Sequence, residues 1–203
     1  MQSPAKNCSK CPRLCGFRKE NAVKFPGYHN APVPSFGELS AELLVVGLAP
    51  GLHGANQTGR PFTGDYAGIV LYAGLQKYGF TLANCRITNA VRCVPQENKP
   101  EPSEIKNCNV FLKDEIAAMP NLKAILSLGL VSHNAVLRAL GLKASAAKFA
   151  HGAIYSLPAT CHLSPVTLYD SYHCSRYNIN TGRLSQGMFD VVIENISSSL
   201  RGA

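Results

Sequence analysis

The apolar run Leu43-Leu44-Val45-Val46 passes directly into a loop, residues 47–65, that carries glycines at 47, 51, 54, 59 and 64. A short, uninterrupted apolar run suits a strand buried on both faces. A glycine-rich loop at its end is where an α/β fold places a ligand, because glycine admits positive φ and lets backbone N–H groups come close where a Cβ would obstruct. The loop holds one phenylalanine, Phe62, and one carboxylate, Asp65. No Gly-Lys-Ser/Thr follows and the Gly-x-Gly-x-x-Gly turn is absent, so a nucleotide P-loop and a dinucleotide fingerprint are both disfavoured.

The rest of the chain repeats the strand–helix theme. Leu43 to Val46, Arg86 to Thr88, Ala124 to Leu128 and Val166 to Leu168 read as strands, and Tyr66 to Tyr78, Ser103 to Met119 and Val131 to Leu140 as helices. A last helix is expected after Thr181-Gly182, with Leu184, Met188, Val191, Val192 and Ile196 on its inner face. The expected fold is α/β, a three-layer α/β/α sandwich around a mostly parallel four-stranded sheet. Gly47, Asn89, Gly129 and His173 then fall at carboxyl ends of strands, where such sheets bind ligands. The Pro-rich stretches Gly27 to Gly37 and Pro95 to Pro102 read as surface loops.

A chain of 203 residues, 46% hydrophobic, suits a single domain, residues 1–203, with a real core. Its net charge of +8 favours a polyanionic partner, nucleic acid first, with plain solubility charge as the alternative. Met1 to Cys8 lacks an apolar signal region, and no run approaches the roughly 20 apolar residues of a membrane span. The expectation is a soluble, cytoplasmic, nucleoid-associated monomer.

Eight cysteines in such a protein point to metal ligands or buried thiols rather than disulfides. Cys8-x2-Cys11 with Cys93-x14-Cys108 forms a split four-thiolate set, whose first pair supplies a tight local bite. Zinc and an iron–sulfur cluster both accept four thiolates, and spacing does not separate them. Cys15, Cys85, Cys161 and Cys174 read as buried apolar thiols.

Four ordered motifs resemble those of the iron–sulfur uracil-DNA glycosylases, specifically the type B or family five branch. They are Cys8-Ser-Lys-Cys11-Pro-Arg-Leu, Gly47-Leu-Ala-Pro-Gly with Thr58-Gly-Arg-Pro-Phe-Thr-Gly-Asp65, Thr88-Asn-Ala-Val-Arg-Cys93, and His173-Cys-Ser-Arg-Tyr-Asn-Ile-Asn-Thr-Gly182. The resemblance spans almost the whole chain. It implies the three-layer fold, a [4Fe-4S] cluster on Cys8, Cys11, Cys93 and Cys108 that pins an N-terminal arm to the loop and helix of residues 93–108, and excision of deaminated bases from DNA.

The matching positions suit that chemistry. A stacked base is unreachable, so it must be flipped into a pocket with a stacking face and contacts to its Watson–Crick edge. Phe62 is the expected face, with an ordinary core aromatic as the alternative. Asn89 offers an acceptor and donors that fit N3-H and O4 of uracil respectively, or else is a turn residue at a strand end. Gly47, Ala49 and Gly51 complete the expected base-binding set. Bond cleavage places negative charge on the departing base, which a hydrogen bond from His173 would stabilise. Asp65 is the expected catalytic carboxylate, with a helix N-cap before Tyr66 as an equally good fit. Asp170 is the other acid near His173.

Arg176, Tyr177 and Asn178 are the expected DNA-binding residues, with Tyr177 as a wedge. Arg183 and Lys148 are further phosphate candidates, and Asn56 and Thr58 secondary site candidates. Two positions depart from the family pattern: Gly51 stands where many type B members have alanine, and Leu48 replaces the water-positioning acid of the related heat-stable branch. Uracil is the expected substrate, with hypoxanthine, xanthine and ethenocytosine beside it. A noncatalytic iron–sulfur nucleic-acid binder and a free-nucleoside hydrolase are the alternatives.

Overall fold

Burial on both faces explains why the strands are short and apolar. In the computed structural model, which describes residues 3–159 and 165–202, every residue of β1 (Leu43–Gly47), β2 (Cys85–Asn89) and β3 (Ala124–Leu128) is buried. These three run parallel with β5 (Val166–Ser171), and β4 (Ile154–Leu157) pairs antiparallel with β5, in the order β2-β1-β3-β5-β4. The sheet is therefore five-stranded where four were expected. β4 escapes a hydropathy reading because it is an edge strand, with Ile154 50% exposed.

The two sheet faces carry separate cores. Leu43, Val45, Ile87 and Leu126 pack against α3 (Tyr66–Lys77) and α7 (Gln186–Arg201), while Leu44, Val46, Ile125 and Leu168 pack against α4 (Pro102–Ala117) and α5 (Leu130–Ala139). The expected three layers are present. The inner stripe of α7 is Phe189, Val192, Ile193 and Ile196. Met188 and Val191 face outward, contrary to expectation, and Leu184 is buried ahead of the helix. Positions 189, 192, 193 and 196 follow the i, i+3, i+4, i+7 pattern that puts side chains on one face.

Residues 27–37 are not a surface loop throughout. Ala31 and Val33 are buried, Val33 N–H donates to the Arg92 carbonyl at 2.7 Å, and Phe36 bridges antiparallel to Ile87. The segment thus covers the free edge of β2, which would otherwise present unpaired backbone groups. Ahead of it, α1 (Pro12–Lys24) is stapled to the start of α4 by Arg13, whose Nη2 meets Glu104 at 2.7 Å. One buried ion network links β2 to α4: Glu115 receives Arg86 Nε at 2.6 Å and Arg92 Nη2 at 2.5 Å.

Candidate active site and thiol cluster

Parallel register brings the strand ends together. Gly47 pairs with Asn89 across β1 and β2, so the loop after β1 and the end of β2 open side by side. Outside them lies a cavity of about 600 Å³, bordered by Ala49, Gly51, Phe62, Asp65, Asn89 and His173. Three sequence segments far apart in the chain thus converge as expected. The fourth, Gly129, does not border the cavity; it backs His173, and a Cβ there would lie 3.9 Å from that residue's Cβ.

Phe62 is both buried and at the cavity wall, so the two readings of it are compatible. Its backbone has φ of 53°, a left-handed conformation that costs a non-glycine residue energy and persists only where the surroundings enforce it. Gly68 makes room for it, since a Cβ there would collide with the Phe62 carbonyl. Gly47 does the same from behind. It is not part of the wall; a Cβ at Gly47 would lie 2.5 Å from Phe62 Cζ and would collide with Asn89 Oδ1.

Asp65 is the N-cap of α3, with Oδ1 accepting the Gly68 amide at 2.9 Å. Its Oδ2 is the atom nearest a Cβ built at Gly51 or Gly54, so the second oxygen lies under the glycine loop. It is the only acidic residue on the cavity wall among the described residues. The nearby Gly47, Leu48 and Gly51 carbonyls already accept the amides of Ala90, Val91 and Asn56, at 2.9, 3.0 and 3.0 Å. Asp170, by contrast, lies on the other face of β5, fully buried against Ser127 Oγ at 2.5 Å and His133 Nδ1 at 2.9 Å. Strand alternation turns it away from the cavity.

The His173 ring lies nearly parallel to Phe62, with centroids 5.9 Å apart and 25° between planes. Loss of hydration holds its pKa below the ordinary histidine value, and the Asp65 carboxylate opposes this only in part. The imidazole is therefore neutral at pH 7 and retains one N–H to donate.

At the rim, α6 (Arg176–Asn180) carries Arg176 over the Tyr66 ring at 5.2 Å and Tyr177 with 73% of its surface exposed. Asn178 is turned inward: its carboxamide donates to the His173 carbonyl at 2.8 Å. Arg183 lies over Tyr172, 4.6 Å from the ring centre. Lys148 is exposed, Asn56 is fully buried with its amide on Asn30 Oδ1, and Thr58 bonds Thr63 within the loop. Neither Asn56 nor Thr58 borders the cavity. Sequence reasoning missed Tyr66, Ser175 and Asn98 as wall residues. Asn98, at φ 56° in a turn between two prolines, left only that turn as a signal.

Cys8, Cys11, Cys93 and Cys108 gather between α1, the loop after β2 and α4, around Leu14, Val91 and Phe111. Burial pushes the Cys93 thiol up to about 12, against the charge of Arg18, with the other three thiols adding to the rise. The Arg92 amide donates to Cys108 Sγ at 3.3 Å. A fifth thiol, Cys15, borders the same space, whereas Cys85 and Cys174 are buried in the main core as expected. Cys161 lies outside the described residues. Among the described residues, no three Cys, His, Asp or Glu side chains are arranged to hold a single metal ion.

Residues 34–197 match the Uracil DNA glycosylase superfamily. A type-5 uracil-DNA glycosylase of Thermus thermophilus is 40% identical over 92% of this chain and 91% of its own length. Type-5 enzymes of Pyrobaculum aerophilum and Mycobacterium bovis are 36% and 37% identical, over 97% and 90% of this chain and 88% and 74% of theirs. Among solved structures, SMUG2 of Pedobacter heparinus is similar with a TM-score of 0.48 at 12% identity, over 80% of this chain and 76% of that one. A match that takes in the sheet, the cavity loop and the His173 segment together shows that this chain belongs to the uracil-DNA glycosylase superfamily.

Proposed function

We propose that this protein removes uracil from DNA by hydrolysing the N-glycosidic bond, leaving an abasic site. The observation that carries the reading is one cavity walled by an aromatic face, a carboxamide, a neutral imidazole and a single carboxylate, in a chain of this superfamily. The flipped base stacks on Phe62 and presents its edge to Asn89. As the C1′–N1 bond breaks, its electron pair goes to the base, and His173 donates a hydrogen bond to the charge developing at O2. Asp65 stabilises the oxocarbenium character of the sugar and orients the water that adds to C1′. Hypoxanthine, xanthine and ethenocytosine are further substrates on this reading.

The rim meets the DNA backbone through Arg176, with exposed Tyr177 entering the gap left by the flipped nucleotide. Cys8, Cys11, Cys93 and Cys108 hold a [4Fe-4S] cluster, which would tie the N-terminal arm to the loop after β2. The donor set supports it: four thiols face one shared space without the close grouping a single ion needs, and a cluster is wider than an ion. No helix among the described residues is long and apolar enough to cross a membrane. The enzyme acts as a monomer in the cytoplasm, at the nucleoid.

Incubating the protein with uracil, hypoxanthine or lesion-free duplexes and scoring alkali-sensitive sites tests the activity. Strand cleavage confined to damaged duplexes supports it. Intact uracil duplexes would select the noncatalytic binder, and release from free nucleosides alone the nucleoside hydrolase.

A further inference from the structure

Buried arginines in this protein mostly have carboxylate partners. Arg86 and Arg92 share Glu115, and the half-buried Arg13 meets Glu104. Arg18 is the exception. It is 7% exposed on α1, and its guanidinium donates to the Lys6 carbonyl at 3.0 Å, to the Cys8 carbonyl, and to Cys15 Sγ at 3.3 Å. No carboxylate is within ion-pairing distance among the described residues, and its Nε–H has no partner among them. A buried charged donor left unpaired costs more than a neutral one. The position therefore calls for an anion. The groups there that become anionic on binding a cluster are thiols: the charge of Arg18 acts on Cys93, and its Nη2 donates to Cys15, which borders the thiol pocket.

We infer that Arg18 is the counter-cation of the thiolate-bound cluster, supplying a buried positive charge that no carboxylate matches among the described residues. This rests on the cluster reading above. A four-thiolate iron–sulfur assembly is net negative, and its reduction potential is set in part by local charge and by hydrogen bonds to sulfur. Positive charge favours the reduced, more negative state. Removing it makes reduction harder, and the cluster more prone to oxidative loss.

The test compares holoprotein purified without oxygen as wild type, Arg18→Gln, Arg18→Lys and Arg13→Gln, each analysed for iron and sulfide and by voltammetry. Wild type lacking iron and sulfide overturns the cluster reading itself, before Arg18 is in question. Given a loaded wild type, Arg18→Gln is expected to reduce about tenfold less favourably, a negative shift of about 59 mV for one electron. Arg18→Lys should stay near wild type. Arg13→Gln, which loosens the same arm through Glu104, should leave the potential unmoved. A loaded Arg18→Gln protein at the wild-type potential overturns the inference. If Arg18→Gln does not load, loading by Arg18→Lys supports a charge role, and failure of Arg18→Lys to load as well overturns it.

Discussion

Oδ1 of Asp65 accepts the Gly68 amide at 2.9 Å while Oδ2 of the same carboxylate lies under Gly51 and Gly54 at the cavity wall. Capping therefore occupies one oxygen and fixes the orientation of the other, the one the proposed mechanism would use. Asparagine caps as well as aspartate. Asp65→Asn should keep the wild-type melting temperature yet lose roughly 10²–10⁴-fold in single-turnover uracil release. Asp65→Ala should add a stability loss of about 1 kcal/mol. Retained activity in Asp65→Asn removes the carboxylate from the mechanism.

Gly47 sits where Phe62 and Asn89 leave no space for a methyl group. Gly47→Ala should destabilise the fold by about 1–3 kcal/mol, the usual range for overpacking. It should also reduce kcat/KM, because both displaced side chains border the cavity proposed to hold the base. Thermal melts and steady-state kinetics measure the two effects, and an unchanged kcat/KM would show that the packing does not position the base.

Asn89 is 4% exposed at the end of β2 and presents its carboxamide to the cavity. The substitution Asn89→Asp is expected to remove a donor and lower uracil release relative to other bases. Parallel assays on uracil, hypoxanthine and cytosine duplexes read the ratio. A ratio equal to that of wild type excludes Asn89 from base discrimination.

Burial lowers the His173 pKa below its unfolded value of about 6.5. The unfolded chain then binds more protons than the native one as pH falls from that value, so the contribution is intact above it and is lost on acidification toward the depressed native pKa. Urea midpoints at pH 7.5 and 5.5 should fall more for wild type than for His173→Asn. Equal slopes would mean that His173 titrates normally.

Glu115 is buried between Arg86 and Arg92; burial raises its pKa, but the two guanidiniums and Ser35 outweigh that and hold it below the carboxylate norm. Glu115→Gln leaves two buried cations without an anion, and a loss of about 3–5 kcal/mol is expected from breaking such a pair on one side. Denaturant unfolding measures it. A loss under about 1 kcal/mol would place the network among exposed, screened pairs.

Period and composition made much of the fold legible. Leu43 to Val46 and Ala124 to Leu128 read as buried strands because they are apolar without alternation, and that is what a parallel sheet covered on both faces requires. β4 was not legible, since an edge strand that leaves Ile154 half exposed lacks that signature. Met188 and Val191 were misplaced because an apolar residue on an amphipathic helix does not state which side of the stripe it borders.

By itself, the chain determined the layer architecture, the glycine loop as a cavity wall, and the residue types gathered there, because these depend on local periodicity, backbone freedom and short motifs. Only the tertiary structure decided which acid faces the cavity. Asp65 and Asp170 are both near site motifs, yet one ends in the wall and the other in a buried contact with His133, because alternation along β5 and the cap of α3 fix opposite directions. It likewise decided that Asn178 supports His173 rather than lying free, and that Arg18 meets thiols and carbonyls rather than a carboxylate. Both facts depend on contacts between neighbouring segments after folding, which no local pattern encodes.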